Sequence, residues 1–126
     1  MNTAEFTRIY NESRNGANEF FRHGPLMRNL IYSDGVKDLA ECGGCYWLLD
    51  IIGTEVVQAM RKAESMGIFK ATVANGQADL RLSLADDAPP AWKRHINFTD
   101  MPDGEWTFYI NKEGGSTCYL VLPTEY

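Results

Sequence analysis

The spacing of apolar residues changes once along this chain, at Met66-Gly67, and the change limits the fold more than any other feature. Before it, apolar residues recur at helical spacing. After it they alternate with polar ones, as on a strand with one buried face. Helices gathered first and strands gathered last give an α+β domain rather than an alternating parallel one.

In the first half, Phe6, Ile9 and Tyr10 form one helical stripe over residues 4–14, with Thr3 at its start and Asn15-Gly16 at its end. Phe20-Phe21 reads as a short extended or turning segment, interrupted by Gly24-Pro25. Ser33-Asp34-Gly35 then opens a second helix, with Asp34 as its N-cap and Val36, Leu39 and Ala40 on its apolar side. Gly43-Gly44 stops it. A third helix runs from about Cys45 to Glu64, with Leu48, Leu49, Ile52, Val56, Ala59 and Met60 buried and Gly53 marking a kink or break.

In the second half, Ile68–Ala74 and Ala78–Leu84 read as strands joined by an Asn75-Gly76 hairpin. Asp86–Pro90 is a turn. Trp92, Ile96 and Phe98 share one face of the next strand, and Trp106, Phe108 and Ile110 repeat the pattern. Thr117–Leu122 forms the last strand. The expected architecture is a single domain over 1–126. Residues 1–66 are mainly helical, and they cover one face of an antiparallel sheet of about five strands in 67–126.

The formal net charge is −5, which argues against a footprint on nucleic acid. No apolar stretch approaches the roughly 20 residues of a membrane span. The first 20 residues carry Glu5, Glu12 and Glu19, unlike a secretory leader. Three cysteines are too few, and odd in number, for a disulfide scaffold. The expected compartment is the cytoplasm, and no cofactor is implied.

Three features carry chemistry. Cys42-Gly43-Gly44-Cys45 has the spacing of a redox pair, with Cys45 where a helix begins, but it follows a helix rather than a strand. The same pair with Cys118 and His23 or His95 would make four zinc ligands, although no second close-spaced pair is present. Two small residues packing at a helix–helix turn account for it equally. Asp50 interrupts an apolar run and is expected to be part-buried, with His23, Arg22 or Arg28 as its partner; a His–Asp pair does acid–base work or simply holds structure. Tyr46-Trp47 and Phe20-Phe21 read as core or as a surface anchor. No phosphate-binding loop, dinucleotide fingerprint or nucleophile elbow occurs.

Ile31-Tyr32-Ser33-Asp34-Gly35-Val36, Gly43-Gly44-Cys45-Tyr46-Trp47-Leu48-Leu49-Asp50, Phe98-Thr99-Asp100-Met101-Pro102 and the terminal Leu122-Pro123-Thr124-Glu125-Tyr126 occur in that order. Together they resemble a family of small proteins of unknown function carried by phages, prophages and bacteria, over roughly residues 18–126. Position 45 is more usually a small alanine-like residue in that family and Cys42 lies outside its pattern, so the resemblance implies no shared role for the cysteines. It implies a helix-plus-sheet domain in a mobile-element context. The expected function is a non-enzymatic binding protein that contacts a host protein, as an inhibitor of a host defence system of the anti-CRISPR kind. The alternatives are a small enzyme or ligand-binding domain using His23, Asp50 and the Tyr32–Asp34 turn, and a thiol or zinc protein. The candidate functional residues are His23, Tyr32, Asp34, Tyr46, Trp47 and Asp50.

Overall fold

A computed structural model describes residues 3–12, 20–23, 27–62, 66–85, 89–112 and 117–125. Helix α1 (Thr3–Glu12) is followed by strands β1 (Phe20–His23) and β2 (Met27–Ser33), and β2 runs directly into α2 (Asp34–Gly43). A composite helix follows: α3 (Tyr46–Ile51), a π-helical stretch (Ile52–Val56), α4 (Val57–Ala59) and a 3-10 turn (Met60–Lys62). Strands β3 (Met66–Ala74), β4 (Gln77–Ser83), β5 (Trp92–Ile96), β6 (Gly104–Lys112) and β7 (Cys118–Val121) complete the sheet, and a 3-10 turn (Pro123–Glu125) ends the described chain.

Among the described residues the sheet has seven strands, in the order β1-β2-β7-β6-β3-β4-β5. The expectation of about five strands, all after a helical first half, is therefore corrected: β1 and β2 come from that half. The expected all-antiparallel pairing is corrected too, because β2 and β7 pair in parallel, Leu30 opposite Cys118 and Tyr32 opposite Leu120. The reason is compositional. β2 carries only a run of three apolar residues, Leu30-Ile31-Tyr32, and its partner lies at the far end of the chain.

Alternation builds the core. Phe69, Ala71 and Val73 of β3, Ala78, Leu80 and Leu82 of β4, Trp106, Phe108 and Ile110 of β6, and Cys118 and Leu120 of β7 are buried on one face. The β3–β4 turn has positive φ at both Asn75 (54°) and Gly76 (76°), the geometry of a two-residue hairpin. Trp92 and Ile96 join the core only in part. Phe98, expected on the same face, is corrected: the strand stops at Ile96, the Thr99 N–H bonds Gly76 O at 2.8 Å, and Phe98 is left 75% exposed.

The helices cover this inner face. Phe6 and Tyr10 of α1 pack edge-on to the Trp106 ring at 4.8 and 5.0 Å. The Tyr10 hydroxyl accepts the Thr107 N–H at 3.0 Å. In the composite helix, Thr54 Oγ1 donates to Asp50 O at 2.7 Å, beside Gly53. A hydroxyl competing for helix carbonyls next to a glycine favours the wider π turn. That turn presents both Val56 and Val57 to the core.

The β2–α2 junction is fixed from the C-terminus. Ser33, not Asp34, is the N-cap: its Oγ accepts the Val36 N–H at 3.2 Å, while Asp34 begins the helix and accepts the Gly35 N–H at 3.1 Å. The Glu125 carboxylate closes over this turn. It accepts bonds from Ser33 Oγ (2.5 Å), Gly35 N–H (3.2 Å) and Leu122 N–H (3.0 Å). Its charge faces the positive end of α2.

A Cβ at Gly35 would lie 2.6 Å from Glu125 Oε2, so a larger residue there would displace the carboxylate from its present bonds. Glu125→Ala should cost about 2 kcal/mol, since three bonds to a charged acceptor are lost at a part-buried site. Gly35→Ala should also destabilise the native chain. In the Glu125→Ala background the same change should be neutral or stabilising, because alanine is the better helix former once the clash is gone. Thermal unfolding of the four proteins checks this. Additive effects of the two substitutions would refute the contact.

Candidate functional site

The sequence-selected residues divide between several places. His23 lies in β1, and its side chain is outside the described residues, so its expected partnership with Asp50 is as well. Asp50 is exposed rather than part-buried, because it sits on the solvent side of α3 while Leu48, Leu49 and Ile52 face inward. Trp47 packs against the margin of the core. Phe21 also packs there, with Lys37 Nζ 4.4 Å from its ring centroid. Asp34 is occupied with the start of α2.

Tyr32 and Tyr46 both lie within reach of the Glu41 charge on α2. Tyr46 OH donates to Glu41 Oε1 at 3.2 Å. Burial, then that bond and the Glu41 charge, push the Tyr46 phenol up to about 12. Burial and Glu41 push Tyr32 up too. Asp38 is raised by desolvation and then by Glu41 and Asp34, against the opposing pull of Lys37 and Arg8. Phenols held neutral at pH 7 are poor bases and nucleophiles. The group is suited to hydrogen bonding.

The Cys42–Cys45 turn is shaped by packing. Gly44 takes a left-handed φ of 59° and its N–H reaches Ala40 O and Glu41 O, closing α2. Gly43 is needed for a different reason: a Cβ there would meet Phe6 Cε2 at 2.7 Å. Cys45 and Cys118 are buried and Cys42 is half-buried. Burial pushes the Cys45 thiol up to about 12 and raises Cys118 as well. A redox pair requires the opposite shift. Among the described residues no group of three or more His, Cys, Asp or Glu side chains is placed to hold a metal.

The sheet face away from the helices holds residues that sequence reasoning missed, together with His95, considered there as a zinc ligand, and Phe20, considered as core or surface anchor. Register places Lys70, Thr72, Asp79, Arg81, Lys93, His95, Glu105 and Thr107 together on it, towards β5. Towards β1 the same face carries Phe20, Ile31, Ile68, Tyr109 and Tyr119. Phe20 is 48% exposed and meets the Tyr119 ring edge-on at 5.6 Å. Glu105 bridges Lys70 (3.5 Å) and Arg81 (3.4 Å). His95 Nδ1 lies 2.7 Å from Asp79 Oδ1. A groove of about 450 Å³ opens at this margin, lined by Asp79, Leu80, Arg81, Pro90, Lys93, Arg94 and His95. The His–Asp pair is open to water, at 47% and 73% side-chain exposure, and among the described residues the groove is lined by no hydroxyl or thiol nucleophile. The period-two alternation marks these residues as outward; only the β4–β5 register shows which of them meet.

The raised Cys45 and Tyr46 values give a pH dependence. A group whose folded pKa is raised contributes stability below its unfolded value, and loses it as pH rises towards the folded one. Stability should fall between about pH 9 and pH 12, and Cys45→Ala should blunt the fall. Iodoacetamide at about pH 8 should modify Cys42 well before Cys45 or Cys118 in the native protein. Equal rates at all three, read by mass spectrometry, would contradict the buried placement.

No helix among the described residues is long and apolar enough to cross a membrane. No curated protein and no solved structure matches the chain. A family model described as a family of unknown function, DUF6876, matches residues 11–126, from the last turn of α1 to the C-terminus, and takes in both Ser33-Asp34-Gly35 and the Glu125 that closes over it; the chain belongs to that family.

Proposed function

We propose that the protein is a non-enzymatic binding protein that acts through protein–protein contacts made by the open face of its sheet. One observation carries this reading: all described helices pack on the other face, leaving an aromatic half around Phe20, Tyr109 and Tyr119 beside a charged half around Arg81 and Glu105. Tyrosine and arginine next to apolar anchors are the residues that dominate binding energy at interfaces. An antiparallel-rich sheet with one solvated face is a common arrangement, so the exposed Phe20 beside the half-buried Tyr109 and Tyr119 matters more than the exposure itself.

The finer reading, an inhibitor of a host defence protein in a phage or prophage context, draws its support from the family resemblance. Three cysteines outside disulfides fit a reducing cytoplasm. The tagged protein should capture a specific host protein from lysate. Phe20→Glu with Tyr119→Glu should abolish that capture while the melting temperature falls by no more than roughly 6 °C, the equivalent of about 1–2 kcal/mol. Undiminished capture by a folded double variant would exclude the open face as the binding surface.

A further inference from the structure

We propose that the free edge of β5 docks an extended acidic segment of a partner protein as an eighth strand; this rests on the binding-protein reading and gives it a partner chemistry. β5 ends the sheet, paired only with β4. Among the described residues no element pairs with its other side, so its outward N–H and C=O groups are available for strand addition.

The side chains along that edge alternate in kind. Trp92, Arg94 and Ile96 point to the helix-covered face, and Lys93 and His95 to the open one. Trp92 and Ile96 are only partly buried because the sheet stops beside them. Arg94 is already paired with Glu55 of the π turn, and His95 with Asp79. Lys93 makes no ion pair with the described residues. The groove against this strand is lined by Arg81, Lys93, Arg94 and His95, with Asp79 as its acid, on a chain of net charge −5. Arg81, Arg94 and His95 each already face a carboxylate, Glu105, Glu55 and Asp79, so the cation this edge offers a partner is Lys93.

This pattern selects the occupant. A strand laid beside β5 gains most with acidic residues next to Lys93 and His95, apolar residues covering Trp92 and Ile96, and a neutral polar residue by Arg94. The complementary core is apolar–acidic–polar–acidic–apolar, which reads the same in both directions and so suits parallel or antiparallel addition. A second copy of β5 is disfavoured, because antiparallel self-pairing centred on Arg94 would set Arg94 against Arg94 and Lys93 against His95. Phe98 stands just past the strand, 75% exposed. Its loop is tied down by the Thr99 N–H to Gly76 O (2.8 Å) and the Met101 N–H to Thr99 Oγ1 (3.1 Å), which leaves a fixed apolar anchor for the partner's continuation.

The test uses the full chain and a fluorescein-labelled peptide, Gly-Ser-Val-Glu-Thr-Glu-Val-Ser-Gly, followed by anisotropy. Saturable binding is expected, weaker at high salt. Lys93→Glu with His95→Glu should reduce it roughly ten-fold or more. The peptide with both glutamates replaced by lysine should bind that double variant better than it binds the native protein. Backbone N-methylation of the central residues should remove binding, because it removes the ladder donors. No saturation by about 1 mM peptide, equal binding of a scrambled sequence, or indifference to N-methylation would each overturn the proposal. If the peptide fails while Phe20→Glu with Tyr119→Glu still abolishes capture of the host protein, this site falls and the binding-protein reading stands.

Discussion

The carboxylate of Glu125 at the start of α2 is the contact on which the β2–β7 end of the sheet depends. Parallel pairing makes it achievable. Because β2 and β7 run the same way, they end on the same side of the sheet, at Ser33 and Val121. Their continuations, Asp34-Gly35 and Leu122–Glu125, therefore meet. Parallel strands cannot be joined by a tight turn, so the pair must be held by something other than a hairpin. Closing a loop of 90 residues costs about 4 kcal/mol in its length-dependent part. Two of the carboxylate's bonds, from Ser33 and Gly35, cross that loop, and the roughly 2 kcal/mol that Glu125 contributes offsets part of it.

This contact gives the resemblance a physical meaning. Tyr32-Ser33-Asp34-Gly35-Val36 and Leu122-Pro123-Thr124-Glu125 look like two separate motifs in the sequence. In the fold they are the two halves of one turn: Ser33 supplies the hydroxyl, Gly35 the clearance and an N–H, Glu125 the charge. Gly43-Gly44 behaves likewise, one glycine clearing Phe6 and the other closing α2. The most chemical-looking stretches are accounted for by packing, and this moves the search for function to surfaces that no motif marks.

What the sequence makes legible follows from the range of the interactions. The hairpin and the inner face of β3, β4 and β6 depend on neighbours and on parity, and both are visible locally. The π turn was foreshadowed by Gly53. Of β1, only Phe20-Phe21 was legible, as an extended or turning segment; β2 was not, since its parallel partner β7 lies far along the chain and the Leu30–Tyr32 run lacks alternation. Phe98 keeps the parity of Trp92 and Ile96, yet the bond from Thr99 to Gly76 ends the strand first. Asp34 and Ser33 are both good capping residues. Only the position of Glu125 decides that serine takes the cap, because its hydroxyl can donate to the carboxylate while still accepting from Val36. The His95–Asp79 contact required the β4–β5 register, and the Asp86–Asp87 stretch leading into it lies outside the described residues.

Charge is also sorted along the sheet. Helix α2 lies against the β1–β2–β7 end and carries Asp38 and Glu41 near the Tyr46 hydroxyl. The cationic groove lies at the β5 end, five strands away from β2. At the β5 margin Lys93 makes no ion pair with the described residues, on a chain of net charge −5. That cation draws an acidic segment to this margin. Electrostatics of that kind contributes more to orientation and encounter rate than to final affinity. The apolar contacts would then supply the affinity, and the fold places them next to the same margin: Phe98 beyond the end of β5, and Trp92 and Ile96 along it, each short of full burial until another strand lies beside them.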